Sequence, residues 1–248
     1  MAGSEAIIHM ISIIIPALNE EKYLSLLLES IKKQGFSDYE IILADAGSLD
    51  KTLEIAKQYG CIVTPGGLPA KGRNQGAKIA RGELLFFCDA DAVLPDNFFK
   101  KALAEFENRK LEIASFCLIP LPISRISSFF LNIFYNQPII LLESALPHAA
   151  MGILIKKELF EKSGGFDEDI KLAEDHYLAR RAIKLFKAKF GIIKSTKIFI
   201  SDRRFKTDGW FSVGIKYLLC ELHLIFIGPV KSDIFKYKLG HYEKNTKE

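Results

Sequence analysis

A chain of 248 residues with 49% apolar side chains can bury a sizeable core, and a single α/β domain is the expectation at this length. The net charge of +4 is unevenly spread: from Arg180 onward, 16 Lys and Arg face 6 Asp and Glu, which suits phosphates or an anionic lipid surface. No nucleic-acid module and no interleaved basic–aromatic pattern accompanies it, so no nucleic acid is expected as a partner.

Cys61, Cys88, Cys117 and Cys220 are far apart and form no C-x-x-C pair, so neither a zinc site nor a disulfide framework is expected. A reducing, cytoplasmic compartment fits best. The N-terminus lacks a basic region followed by a long apolar one, so no signal peptide is expected, and residues 1–9 read as a loose leader.

In chain order, Ile11–Ile15 is a β-branched run ended by Pro16, and Asn19 reads as the cap of a helix carrying Leu24, Leu27, Leu28 and Ile31. Strands follow at Glu40–Ala44 and Cys61–Thr64, with helices at Asp50–Tyr59 and Lys71–Arg81. Leu84–Cys88 is a short buried strand that runs into Asp89 and Asp91, and Phe99, Ala102, Leu103 and Phe106 mark a further helical face. This β-α-β-α order predicts a mostly parallel sheet flanked by helices, with ligands gathering beyond the carboxyl ends of the strands. Asn19, Asp45 and Asp89 fall there.

The second half is less regular. Residues 111–117 read as a strand, and 126–146 as an apolar stretch broken by Pro138. Met151–Ile155 reads as another strand, before a short helix and the turn Gly164-Gly165-Phe166-Asp167. Glu174–Lys187 has a helix pattern with Leu178, Ala182 and Leu185 on one side. The reading is one domain over 1–205 and a C-terminal helical extension over 206–248.

Asp89 and Asp91 are one residue apart, and alternation along an extended backbone would point both to the same side. Converging there, two carboxylates can hold a divalent cation against the phosphates of a ligand. A solvated turn is the plain alternative for such a pair alone.

Four further blocks accompany it: Ile13-Ile14-Ile15-Pro16-Ala17-Leu18-Asn19-Glu20, Ala44-Asp45-Ala46-Gly47-Ser48-Leu49-Asp50-Lys51-Thr52, Lys71-Gly72-Arg73-Asn74-Gln75-Gly76-Ala77, and Gly164-Gly165-Phe166-Asp167 with Glu174-Asp175. In order and spacing, across residues 11–205, the five blocks resemble the family 2 glycosyltransferases. The resemblance implies the GT-A nucleotide-sugar-binding fold and a metal-dependent, inverting transfer from a UDP- or GDP-linked sugar.

By that resemblance Pro16, Leu18 and Glu20 line the nucleoside pocket, and Asp45 accepts a hydrogen bond from the base. Asp50 is read as capping the next helix. Arg73, at the start of a helix, would approach the nucleotide and its diphosphate, with Lys71 sharing the task. Asp89 and Asp91 would bind ribose and Mn2+ or Mg2+, Asp91 as the more direct ligand. Glu174 lies in the donor site, and Asp175 is the general base that deprotonates the acceptor hydroxyl. Both acids also suit the positive end of a helix on purely structural grounds. His176 is expected on the helix surface.

Arg203 and Arg204, in Ser201-Asp202-Arg203-Arg204-Phe205, resemble the arginine-rich segment that approaches the diphosphate; ordinary surface charge is the alternative. Processive synthases of the family carry Q-x-x-R-W here. This chain lacks that Gln and has Phe205 in place of Trp, which argues against processive synthesis.

Trp210–Val230 is strongly apolar but interrupted by Lys216, Glu221 and His223, which argues against a spanning helix. Phe211, Ile215, Leu218, Leu222 and Ile225 make one stripe, read as an amphipathic helix lying on the cytoplasmic face of a membrane. Packing on the protein's own core, or a dimer interface, is the alternative. With Ile126–Leu146 and the basic tail Lys231, Lys236, Lys238, Lys244 and Lys247, the stripe makes a lipid-linked acceptor attractive. Transfer to a polyprenyl or dolichyl phosphate, and a non-catalytic membrane-apposed scaffold, are the rival readings.

Overall fold

A computed structural model of the chain describes residues 10–149, 152–203, 209–232 and 234. The N-terminal half alternates strand and helix: β1 (Ile11–Ala17), α1 (Leu24–Lys32), β2 (Tyr39–Asp45), α2 (Thr52–Gln58), β3 (Ile62–Pro65), α3 (Pro69–Ile79) and β4 (Leu84–Cys88). Among themselves these four strands pair in parallel, with β1 between β2 and β4. Successive residues on β1 and β4 serve opposite faces. Ile13, Ile15 and Phe86 join one core with Leu24, Leu27, Phe98 and Phe116, while Ile14 and Phe87 join another with Phe160, Phe166 and Leu178. A sheet covered on both faces explains why these strands are continuously apolar.

Beyond β4 come β5 (Ala92–Val93), α4 (Phe98–Asn108), β6 (Ile113–Leu121), α5 (Arg125–Leu131), a π-helical turn (Asn132–Asn136) and α6 (Gln137–Leu141). The chain then runs through β7 (Gly152–Lys156), α7 (Lys157–Lys162), α8 (Glu174–Phe186), β8 (Phe190–Ser201) and α9 (Trp210–Phe226). The eight-stranded sheet has the order β3-β2-β1-β4-β7-β6-β8-β5. Strand β7 is antiparallel to both β4 and β6, and β5 is antiparallel to β8. The expected parallel character therefore holds for the first half, and the second half mixes directions.

Several sequence expectations change here. Asn19 is not a helix cap: it has φ 54°, and α1 begins five residues later, after Tyr23. Pro138 does not break the apolar stretch: helical backbone continues from Arg125 to Leu141, and the π-helical turn directly before α6 is the local adjustment that accompanies the proline. That stretch is anchored by buried Asn136, which accepts from Leu118 N at 2.8 Å and donates to Leu118 O at 2.9 Å. Leu178 and Ala182 are buried on α8, whereas Leu185 is 61% exposed. Asp89 and Asp91 do not lie on an extended backbone; the chain turns, with Ala92 N donating to Asp89 O at 3.1 Å.

Helix α9 presents its apolar stripe outward. Ile215, Leu218, Leu222 and Ile225 are exposed, while Cys220 packs against Leu172 and Val230. Phe129, Phe130, Phe134 and Leu141 are likewise exposed around α5 and α6. Core packing is therefore not what those residues of the stripe are for. Among the described residues no helix is long and apolar enough to cross a membrane. The side chain of Phe211, the segment 1–9, Arg204 and the tail lysines beyond Lys231 lie outside the described residues.

Candidate active site

Arg73 is the hub of the site. Its helix can lie close on the sheet because Gly76 faces Ile14: a Cβ there would come within 2.4 Å of Ile14 Cγ2. Asn74, next to Arg73, donates to Phe166 O and accepts from Phe166 N, both at 2.9 Å. That pair fixes the Gly164–Asp167 turn on α3. Gly165 has φ 67°, and a Cβ there would come within 2.7 Å of Asn74 Oδ1, so glycine is required on both counts. The turn sets the Phe166 ring 5.5 Å from the Arg73 guanidinium carbon.

Arg73 itself is only 7% exposed. Its Nη1 donates to Glu174 Oε1 at 2.6 Å and its Nη2 to Asp89 Oδ1 at 2.9 Å. Burial opposes its charge, but Asp89, Glu174 and Asp175 outweigh burial and raise its pKa. The two acids at the start of α8 shift upward: Glu174 by burial and the neighbouring Asp175 charge, against the pull of Arg73. Asp175 is pushed up to about 6 by burial, with Arg73, the His176 backbone N–H and His148 opposing. A carboxyl so tuned can exchange a proton near neutral pH.

A second arginine closes the other side. Arg203 Nη1 and Nη2 reach Glu20 Oε2 at 3.1 Å and Oε1 at 2.7 Å, a two-pronged grip. Its Nε is 3.2 Å from Asp91 Oδ2, and its guanidinium carbon lies 4.9 Å from the centre of the Tyr23 ring. Asp89 and Asp91 are thus each compensated by a different arginine. Their donor atoms are all oxygen, a set that fits Mg2+ or Mn2+ beside phosphate.

Asp45 shapes the neighbouring loop. It accepts from Gly47 N at 2.9 Å, Ser48 N at 3.0 Å and Ser48 Oγ at 2.5 Å. Ser48 Oγ in turn accepts from Asn19 N at 2.9 Å, and Asn19 Oδ1 from Leu49 N at 2.9 Å. These bonds tie the β1–α1 loop, with Leu18 and Glu20, to the β2–α2 loop, while Pro16 lies near the end of β1, opposite Ala44. Asp50 accepts from Thr52 N, the first residue of α2, at 2.9 Å, but it lies two residues before the helix and the N-cap position itself is Lys51. Lys71 is exposed, with its stem against Gly67.

The model of Glycosyl transferase family 2 matches residues 12–122. The curated "Uncharacterized glycosyltransferase EpsJ" of Bacillus subtilis is 31% identical over 186 residues, which cover 68% of this chain and 54% of EpsJ. This protein is a member of glycosyltransferase family 2. The chain spans about half the length of EpsJ.

Solved structures agree on the fold. Staphylococcus aureus TarS 1–349 in complex with UDP-GlcNAc superposes with a TM-score of 0.62 at 22% identity, covering 87% of this chain and 73% of that one. The mannosyltransferase PcManGT of Pyrobaculum calidifontis, in complex with GDP-Man and Mn2+, gives a TM-score of 0.70 at 19% identity, over 88% and 64% of the two chains. The architecture of this family 2 chain is that of GT-A glycosyltransferases.

One cluster beside the site departs from the sequence reading. His176 is not on the helix surface but 6% exposed. Its Nδ1 is in close contact with Glu221 Oε1, and its ring centre lies 3.7 Å from that of His148. His148 Nδ1 is 3.3 Å from the same Glu221 oxygen, while Arg180 Nη2 donates to Glu221 Oε2 at 2.6 Å. Burial and the neighbouring His176 push the His148 pKa down to about 4, against the pull of Glu221 and Asp175. Nothing in the local pattern marks His148 or Glu221. The one available signal was a lone acid inside an apolar helix, and that signal reads equally well as a solvated charge.

Proposed function

We propose that the protein moves a sugar from a nucleoside-diphosphate sugar to an acceptor hydroxyl, with inversion at the anomeric carbon. The observation that carries the reading is Arg73 gripping Asp89 and Glu174 at once, beside Asp175. Arg73 would hand its hydrogen bonds to the donor diphosphate, and Asp45, with Pro16, Leu18 and Glu20, would seat the nucleoside. Mg2+ or Mn2+ held by Asp91 and Asp89 would supply positive charge for the departing diphosphate.

Asp175 would accept the proton of the acceptor hydroxyl as its oxygen bonds to the anomeric carbon and the bond to the donor phosphate breaks. Arg203, Lys71 and Arg204 would add positive charge around the leaving group. Its Arg203–Glu20 and Arg203–Asp91 contacts support a residue that reorganises when the donor arrives.

A lipid-linked acceptor, met by peripheral contact with a membrane, is supported by the exposed apolar side chains of α5, α6 and α9. The narrower reading is a polyprenyl-phosphate acceptor, whose phosphate oxygen needs no strong base; Asp175 would then be dispensable.

Nucleotide release from UDP-, GDP- and dTDP-sugars, with and without Mn2+, tests the proposal in wild type, Asp91→Ala and Asp175→Asn. Metal-dependent release from one donor, lost in Asp91→Ala, supports it. Failure to bind any donor in calorimetry with metal present would favour a non-catalytic scaffold. Transfer that survives Asp175→Asn would favour the phosphate acceptor.

A further inference from the structure

We infer that His148, His176 and Glu221 form a cation site of the zinc class, separate from Asp89 and Asp91, that fastens α9 to the catalytic end of α8. Three elements that are distant in the chain supply it: the loop before β7, the first turn of α8 and the middle of α9. One ligand atom from each lies within 4.8 Å of the others.

Both imidazoles turn Nδ1 toward a single carboxylate oxygen. His176 Nδ1 and Glu221 Oε1 are enclosed, yet their approach lacks the alignment of a hydrogen bond. Tetrahedral zinc, with bonds of about 2.0–2.2 Å, sets its ligand atoms about 3.3–3.5 Å apart. The 3.3 Å between His148 Nδ1 and Glu221 Oε1 meets this.

The surroundings are those of an oriented ligand set. Arg180 holds the other Glu221 oxygen, leaving Oε1 for the ion. The Tyr135 ring meets His148 edge-on with centres 5.3 Å apart. His176 turns Nε2 toward Asp175 Oδ1 at 3.7 Å, so a metal on Nδ1 would leave the remaining N–H facing a carboxylate, as outer partners of metal-bound histidines do.

Two nitrogens and one oxygen favour Zn2+ or Co2+, whereas the all-oxygen pair Asp89 and Asp91 favours Mg2+ or Mn2+. The expectation of no zinc site rested on cysteine spacing, and these ligands are histidines and a glutamate.

The chelator-treated 248-residue chain carrying Asp91→Ala, which leaves this cluster intact, is titrated with CoCl2 and followed by visible absorption. Thermal melts with and without ZnCl2 run beside it. The expected result is one equivalent of Co2+ with tetrahedral-type bands and a zinc-dependent rise in Tm. His148→Gln and Glu221→Gln should each weaken binding about 10–100-fold and remove the rise in Tm. Absence of a stoichiometric cobalt spectrum, or a spectrum unchanged in folded His148→Gln and Glu221→Gln, overturns the site. No donor or acceptor enters the experiment, so its outcome is independent of the glycosyltransferase reading.

Discussion

Arg73 and Glu174, 101 positions apart in the chain, meet at 2.6 Å with both side chains nearly enclosed. The pair joins a helix from the parallel half of the sheet to a helix from the mixed half. It also determines how the site responds to substitution.

Removing one member of a buried ion pair leaves the other charge uncompensated, which costs about 3–5 kcal/mol. Arg73→Met should show that loss in urea unfolding at pH 8, together with loss of donor binding. Adding Glu174→Gln should recover part of the stability and none of the binding. Equal instability in the single and double variants would mean that Glu174 is not the charge Arg73 compensates.

Asp175, facing Arg73, Asp89, Glu174, His148 and His176, has a pKa raised to about 6. Only its deprotonated form can accept the acceptor's proton, so the rate should rise with pH through about 6 and level off above. Stability runs the other way. A carboxyl raised from 3.8 to about 6 on folding costs nothing at low pH; the penalty grows between these values and is complete above them. Asp175→Asn should therefore stabilise the fold at pH 8, on the order of 2–3 kcal/mol by melting, while transfer collapses. An unshifted acid limb in a partly active Asp175→Asn variant would assign the limb to another group.

Arg203 is the cation between Glu20 and Asp91. Its loss leaves two carboxylates facing an incoming diphosphate. Arg203→Ala should raise the donor KM about 10–100-fold, as expected for lost charge-assisted bonds, with a small change in Tm because the side chain is partly exposed. Arg203→Lys keeps the charge but not the fork, and should recover only part of the affinity. A donor KM unchanged in both variants would return Arg203 to a surface charge.

Two glycines on α3 separate helix propensity from packing. A Cβ at Gly72 would lie 3.4 Å from Pro16 Cβ and 3.5 Å from Ala44 Cβ, ordinary contacts. Gly72→Ala should therefore gain up to about 1 kcal/mol of helix propensity. At Gly76 the same atom would reach 2.4 Å from Ile14 Cγ2, on a β-branched side chain fixed in the core. Overpacking of about 1–3 kcal/mol outweighs the propensity gain, so Gly76→Ala should melt lower than wild type. Opposite Tm shifts for the two variants are the expected result, and equal shifts would mean that α3 does not sit this close to β1.

The sequence by itself determined the parallel half of the sheet, the face each strand residue serves, and which residues gather beyond the strand ends. Ile13 and Ile14, or Phe86 and Phe87, are assigned to opposite cores by alternation alone, a property of adjacent residues. Motif spacing is also local, and Arg73, Asp89, Glu174 and Asp175, singled out by it, lie together in the fold. Asn19 misled because an Asn before an apolar periodicity can cap a helix or take a left-handed turn, and only its bonds to Ser48 and Leu49 distinguish the two. Tertiary structure alone decided that Arg203 crosses 183 positions to Glu20, and that Glu221 turns inward to two histidines while the apolar stripe of its helix faces outward. A charge in an apolar run has the same pattern whether water or a buried partner receives it; the partner is supplied by a distant segment, and only folding brings the two together.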